Sequence, residues 1–367
     1  MTVVRDTHEA YGAVFEERGE RALPREFGRP ERTQRAVRNA VGVTEHAYGV
    51  LLVTGDDRRE FVDNAVTNTV PSEDGRGVYA LLLDPQAGIR TDMYVYEAGE
   101  ELLCFLPPEV VAELADEWRE NVFIEDVEIR DATADFGVFG VHGPKATEKV
   151  ASVLHQSGAP DAPLSFVRGE IYDHGVTVIR TDSPAGEEGY EVVVAADGAS
   201  DVLDTLITRG LNAAPFGTRV WEALTLEAGT PIYPYDLKGR VPNVLGLRGA
   251  LDFEKGCYVG QEVVSKVENR GRPSKRLVGL RLDGDAVPEH GLDVRDGERT
   301  VGELTRAAWG ESVGAPVAFA LVDYGTDAET LTVATADGVR DAARVELPFV
   351  VGSDRSARVP DYPDPDD

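Results

Sequence analysis

The segment Lys255-Gly256-Cys257-Tyr258-Val259-Gly260-Gln261-Glu262 gathers the most chemistry into the fewest residues. Glycines one before and three after the cysteine let the backbone bend through positive φ or approach a ligand closely. Three of the six lysines, Lys255, Lys266 and Lys275, fall within 21 residues, and cations near a thiol favour the reactive thiolate. Cys257 therefore reads either as a reactive group beside an anion site or as a structural cysteine in a turn. Neither Cys257 nor any histidine has partners at metal-ligand spacing, and no bound metal is expected.

Two carboxylates stand out elsewhere. Asp92 follows the loop Ala87-Gly88-Ile89-Arg90-Thr91 and heads an apolar strand, with Tyr79 and Tyr96 on flanking strand segments. A carboxylate at a strand mouth can orient or deprotonate an amine; capping a turn is its ordinary alternative. Glu187, in Gly186-Glu187-Glu188-Gly189-Tyr190-Glu191, can accept hydrogen bonds from a donor-rich heterocycle such as a pterin, or simply belong to a solvated acidic loop. His46 and His142 read as packed side chains. No dinucleotide fingerprint, phosphate loop or nucleophile elbow is present.

The whole chain sets these groups in an acidic background. Its 367 residues carry 66 acidic and 37 basic side chains, a formal charge of -29. Such a field repels nucleic acid and anionic membranes, so neither is an expected partner. The basic set is 31 Arg and 6 Lys, a composition suited to solubility at high salt in a halophilic cell. Two cysteines exclude a disulfide scaffold, and the lack of a leader or a long apolar run points to the cytoplasm.

Strands must position the candidates. Tyr48–Val53, Val78–Leu83, Met93–Tyr96 and Leu102–Leu106 read as strands, Arg58–Ala65 and Pro107–Glu120 as helices, and 84–88 as a hairpin loop. Tyr48 to Gly55 aligns with Phe136 to Gly143 at an offset of 88, which predicts a duplicated α/β unit. After Lys275 the texture becomes strand and turn, which predicts a small β-barrel. Residues 351–367 read as a polar acidic tail, with Asp361 to Asp367 solvated and without a chemical role.

At these residues a resemblance appears. Lys255 to Glu262 resembles the K-G-C-[FY]-x-G-Q-E signature of the YgfZ-type branch of the glycine-cleavage T-protein (aminomethyltransferase) superfamily at all eight positions. Gly88 to Tyr96 resembles the superfamily's G-I-x-x-D stretch, Arg180 to Glu191 its R-T-G-Y-T-G-E-x-G-[FY]-E loop, and Leu224 to Tyr233 its L-R-x-E-x-G-x-P-[LI]-Y run. The resemblance implies an α+β, three-lobed fold. A folate-binding region would span residues 1–276 as two interleaved lobes meeting near 130, with a barrel at 277–350. It implies non-covalent tetrahydrofolate held by Tyr79, Tyr96, Arg180, Glu187 and Lys255, with Asp92 and Cys257 as catalytic groups. For the YgfZ-type branch it implies support of iron–sulfur client enzymes, including tRNA-modifying ones. For the T-protein branch it implies transfer of an aminomethyl unit from a lipoyl-carrier protein to tetrahydrofolate.

The chain departs from the T-protein pattern at three places. Thr225 and Trp221 replace arginines, Asp182 to Ala185 replaces the glycine–tyrosine pair, and Cys257 follows a glycine where T-proteins usually lack cysteine. These departures favour the YgfZ-type reading, while Asp92 favours transfer chemistry.

Overall fold

The computed structural model describes residues 2–18, 21–336 and 338–363. Its first sheet runs in the order Arg76–Leu83, Ile89–Glu97, Glu101–Leu106, Gly49–Thr54, Glu128–Asp131, with every pair antiparallel. The second runs Phe166–Ile171, His174–Arg180, Gly189–Ala195, Phe136–His142, Gly42–Glu45, Ala214–Pro215, and only the last pair is parallel.

One succession of elements occurs twice. A strand, a helix, a three-strand meander and a second helix appear as 49–54, 58–65, 76–106 and 111–120, then as 136–142, 146–151, 166–195 and 199–208. In each copy the last meander strand pairs back on the first strand. The turn after that first strand uses a left-hand-side glycine both times, Gly55 at φ +104 and Gly143 at φ +135. The short strands that precede the copies are exchanged: Glu128–Asp131 pairs with Gly49–Thr54, and Gly42–Glu45 pairs with Phe136–His142. This exchange carries the connection 46–48 across the space between the sheets. The helix predicted from Pro107 begins at Val111, because the two prolines sit in the preceding turn.

Alternation along the strands divides the burial. Val50, Leu52, Leu81, Tyr94 and Phe105 face inward to meet Val138, Ile179 and Val193 of the second sheet and Val317, Phe319 and Leu321 of the barrel. Leu51, Val53, Val95 and Cys104 face the other way and lie under Val62, Leu114 and Trp118 of the first copy's helices. The second sheet is covered likewise by Val150, Val202 and Leu206. Each such side chain contributes about 1.5–3 kcal/mol on full burial, which is what holds two sheets and a barrel together.

Six strands between Lys275 and Val345 close into a barrel in the order Lys275–Leu282, Ala315–Asp323, Arg299–Gly310, Asp293–Asp296, Thr330–Thr335, Gly338–Val345. Small residues, Ala318, Ala320 and Ala342, share its interior with Leu280, Val294 and Leu331, as a narrow barrel requires.

The expectation of a solvated tail is overturned by residues 351–363. Ser353 donates to Glu187 through N and Oγ at 2.8 and 2.6 Å, and the Ala357 N–H donates to the Asp182 carbonyl at 3.0 Å. Tyr362 donates to the Val244 carbonyl at 2.9 Å, and Arg358 is buried. Charged composition suggested solvent, but buried partners of opposite sign await these residues. Residues 364–367 of the same expectation lie outside the described residues.

Gly143→Ala would need positive φ and would place Cβ 2.5 Å from the Ala40 carbonyl oxygen. It is expected to lower unfolding free energy by about 2–3 kcal/mol in urea titrations, whereas Gly158→Ala, with open space around it, changes stability by less than about 0.5 kcal/mol.

Candidate functional site

Strand Ile89–Glu97 places Asp92, Tyr94 and Tyr96 on one face, because side chains repeat every second residue. On the neighbouring strand Tyr79 pairs with Tyr94 and lies diagonal to Asp92. That diagonal is within reach of a tyrosine, and the Tyr79 hydroxyl donates to Asp92 Oδ2 at 2.9 Å. Asp92 Oδ1 is buried and has no hydrogen-bond partner. Burial pushes this carboxyl above its ordinary range, against the opposing pull of Arg358 and the Tyr79 hydroxyl.

Arg358 arrives from the C-terminal segment. Its Nε lies 3.0 Å from Asp182 Oδ2, and its Nη1 lies 3.9 Å from Asp92 Oδ2. The guanidinium sits over the rings of Tyr79 and Tyr94 at 4.6 and 5.6 Å. Tyr94 donates to Asp182 Oδ1 at 2.8 Å.

The exchanged connection supplies the opposite wall. Tyr48 stacks on Phe105 with centroids 5.6 Å apart and donates to Glu191 Oε1 at 2.8 Å. Burial raises Glu191 to about 7, partly offset by the Tyr48 hydrogen bond. His46 and His142 share an Nε2 to Nε2 hydrogen bond of 3.2 Å, and both rings pack on Trp221. Burial and the Arg358 charge lower His46 to about 3, and burial with the neighbouring His46 lowers His142, so both are neutral imidazoles at physiological pH.

Between these walls lies a small cavity of about 110 Å³, lined among others by Tyr48, Asp92, Tyr94, Phe105, Trp221 and Arg358. Aromatic walls beside the Asp92 carboxylate, whose Oδ1 has no hydrogen-bond partner, suit a flat, N–H-bearing ligand whose proton Asp92 can take.

The predicted residues divide at this point. Asp92 lines the cavity, and Tyr79, outside the lining, holds it from the neighbouring strand. Tyr96 shares their face but lies in the core, stacked on Tyr94 at 6.2 Å and edge-on to Phe166, so it is not a wall. Glu187 is spent on Arg38 at 3.0 Å and on Ser353, away from the cavity lining. Arg180 binds Asp354 at 2.6 Å and covers the Tyr190 ring. Lys255 is buried and donates to the carbonyls of Asp63, Val66 and Asn68 at 2.6, 3.1 and 3.0 Å. It thereby satisfies backbone acceptors at the end of helix Arg58–Ala65 and leaves nothing for a ligand.

Cys257 is exposed and is not among the cavity residues. Its neighbour Val259 lines a different groove with Phe61 and Trp118, beside the helices that cover the outer face of the first sheet. Asp92 and Cys257 are therefore not brought together.

The wall residues Tyr48, Tyr94, Phe105 and Trp221 and the charged groups Glu191, Asp182 and Arg358 escaped the sequence reading. Glu191 carried a signal, since it is the one charged residue in the strand Gly189–Ala195. Arg358 carried none.

Comparison with known proteins now adds to this geometry. Residues 4–255 match the family model described as GCVT N-terminal domain, and residues 275–350 match the glycine cleavage T-protein C-terminal barrel domain. The chain belongs to the glycine-cleavage T-protein family. This T-protein-family chain is 28% identical to the aminomethyltransferase of Corynebacterium jeikeium (strain K411), over 90% of this chain and 92% of that protein. It is 27% identical to the aminomethyltransferase of Bacillus subtilis (strain 168), over 89% and 91%. The crystal structure of glycine cleavage system aminomethyltransferase T from Bartonella henselae shares the T-protein fold, with a TM-score of 0.83, 20% identity and coverage of 96% and 97%. None of these relatives bears a YgfZ name, so the finer placement in that branch lacks a counterpart among them.

Because Glu191 holds its proton in the folded chain up to about pH 7 and has an ordinary value of 4.5, it contributes stability that is complete below 4.5 and lost as pH rises through 7. Between pH 5 and 8 the wild-type chain is expected to lose about 2–3 kcal/mol more than Glu191→Gln, read from paired urea titrations.

Proposed function

We propose that this protein is a folate-dependent aminomethyltransferase. The observation that carries this reading is Asp92, a desolvated carboxylate with one free oxygen, tethered by Tyr79 at the wall of an aromatic cavity. The names of the relatives support it.

Tetrahydrofolate offers two N–H nucleophiles, and the donor is an aminomethyl group on a thiol of a lipoyl-carrier protein. Bonds from the methylene to nitrogen and to sulfur break, and two bonds to folate nitrogens form. Ammonia and the thiol leave, each with one proton from a folate nitrogen. Asp92 takes the proton of an attacking nitrogen through its free oxygen and passes it to a leaving group, ending as the carboxylate it began as. Tyr48, Tyr94 and Phe105 offer apolar faces to the flat ring. Glu191, protonated or ionised near neutrality, holds the Tyr48 wall in place.

An iron–sulfur role would need the signature cysteine to act with the folate site. Cys257 lies outside the cavity, and the relatives reported above bear the transferase name, so this reading is set aside.

Incubation with tetrahydrofolate and an aminomethylated lipoyl carrier is expected to yield methylene-tetrahydrofolate and ammonia. Asp92→Asn should lower kcat by at least about 10²-fold, the scale of a lost general base, while tetrahydrofolate affinity measured by calorimetry changes less than about tenfold. Absence of product with wild-type protein would refute the assignment.

A further inference from the structure

Asp182 is buried and Asp92 nearly so, with side-chain exposures of 3% and 13%, beside a single guanidinium, Arg358, that comes from a separate segment downstream. Residues 351–363 are pinned on the way in by Ser353 on Glu187, by Asp354 on Arg180 and Ser183, and by the Ala357 N–H on the Asp182 carbonyl. They are pinned on the way out by the Asp361 N–H on the Gly246 carbonyl and by Tyr362 on Val244. Arg358 is thus inserted between fixed points, with its charge held over two phenol rings and against two carboxylates.

We propose that Arg358 is the positioning residue for Asp92: the C-terminal strap inserts its guanidinium so that Asp92, despite its burial beside Asp182, stands ionised and aimed to accept a proton. This rests on the transfer reading and adds to it the residue that sets the charge of the base.

Every element around Asp92 bears on that charge. Tyr79 from the neighbouring strand donates to it, and Tyr94 on its own strand is engaged by Asp182. Asp182, from the loop after strand His174–Arg180, disfavours a second negative charge. Burial disfavours ionisation of Tyr233, which also feels Asp92, while Glu109 lines the same cavity. Arg358 is the cation that draws Asp92 toward its charged form. Its own burial works against its charge, but Asp182, Tyr94, Tyr79 and Asp92 more than offset this.

The test uses the full chain. Arg358→Gln should shift the acid limb of the pH profile of kcat/KM alkaline by at least about one pH unit, which is a tenfold loss on that limb. Arg358→Lys should restore part of the shift. An unmoved profile would overturn the proposal. So would increased activity, which would make Arg358 a plug occupying the donor's place. If wild-type protein transfers nothing, the functional reading fails alone; the carboxyl ¹³C titration of Asp92, assigned with Asp92→Asn, must still move alkaline in Arg358→Gln. Should Arg358→Gln not fold, Asp182→Asn replaces it: removing the like charge while retaining the cation must move the Asp92 titration acidic, and any other outcome counts against the proposal.

Discussion

Two carboxylates, Asp182 and Glu191, are buried between two sheets, a third, Asp92, keeps 13% side-chain exposure, and one guanidinium, Arg358, is buried with them. Charges in a low-dielectric interior persist only when paired or hydrogen-bonded, and each partner here is assigned. Asp182 takes Arg358 and Tyr94, Asp92 takes Tyr79 with Arg358 beyond it, and Glu191 takes Tyr48. The cavity exists because these groups are held apart from bulk solvent yet not fully satisfied. Asp92 and Glu191 each keep one oxygen without a partner, which is costly for stability and useful for a ligand.

The exchanged strands make this arrangement possible. Because Gly42–Glu45 belongs to the second sheet and Gly49–Thr54 to the first, the three residues between them must cross the gap. His46 and Tyr48 are therefore fixed between sheets by the ladders on both sides, and the His46 N–H is bonded to the Val138 carbonyl at 2.9 Å. A binding wall built on two paired strands is stiffer than one built on a free loop. Duplication gives each copy the same meander, but the faces diverge: the first copy contributes Asp92 and its tyrosines, the second contributes Glu191 and the loop that carries Asp182.

Arginine is used structurally throughout. Arg38 joins Glu187 and Glu227, and Arg306 joins Asp236 at 3.0 Å while bonding the Thr225 hydroxyl at 2.8 Å. Thr225 stands where the resemblance places an arginine, and Arg306 of the barrel brings a guanidinium to that side chain from another part of the chain. The planar fork suits such sites, since several donors can be satisfied at once.

Local pattern was legible wherever one face of an element decides its fate. Period-two alternation located the strands, the 88-residue offset located the repeat, and the glycine-rich hairpin located Asp92 beside Tyr79. What could not be read was which of several equivalent charges lies inside. Glu187 and Glu191 sit in one short segment, four residues apart, and strand geometry sends the first to Arg38 and the second to Tyr48. Lys255 and Arg180 looked free for an anion because their partners, backbone carbonyls of residues 63–68 and Asp354, are distant in sequence. By itself the sequence determined the strands, the repeat, the barrel and the place of Asp92 on its strand, since these follow from neighbours along the chain. Only the tertiary structure decided which cation stands beside Asp92 and Asp182: Arg358 belongs to a segment whose composition favours water, and long-range pairing with these carboxylates overrides composition.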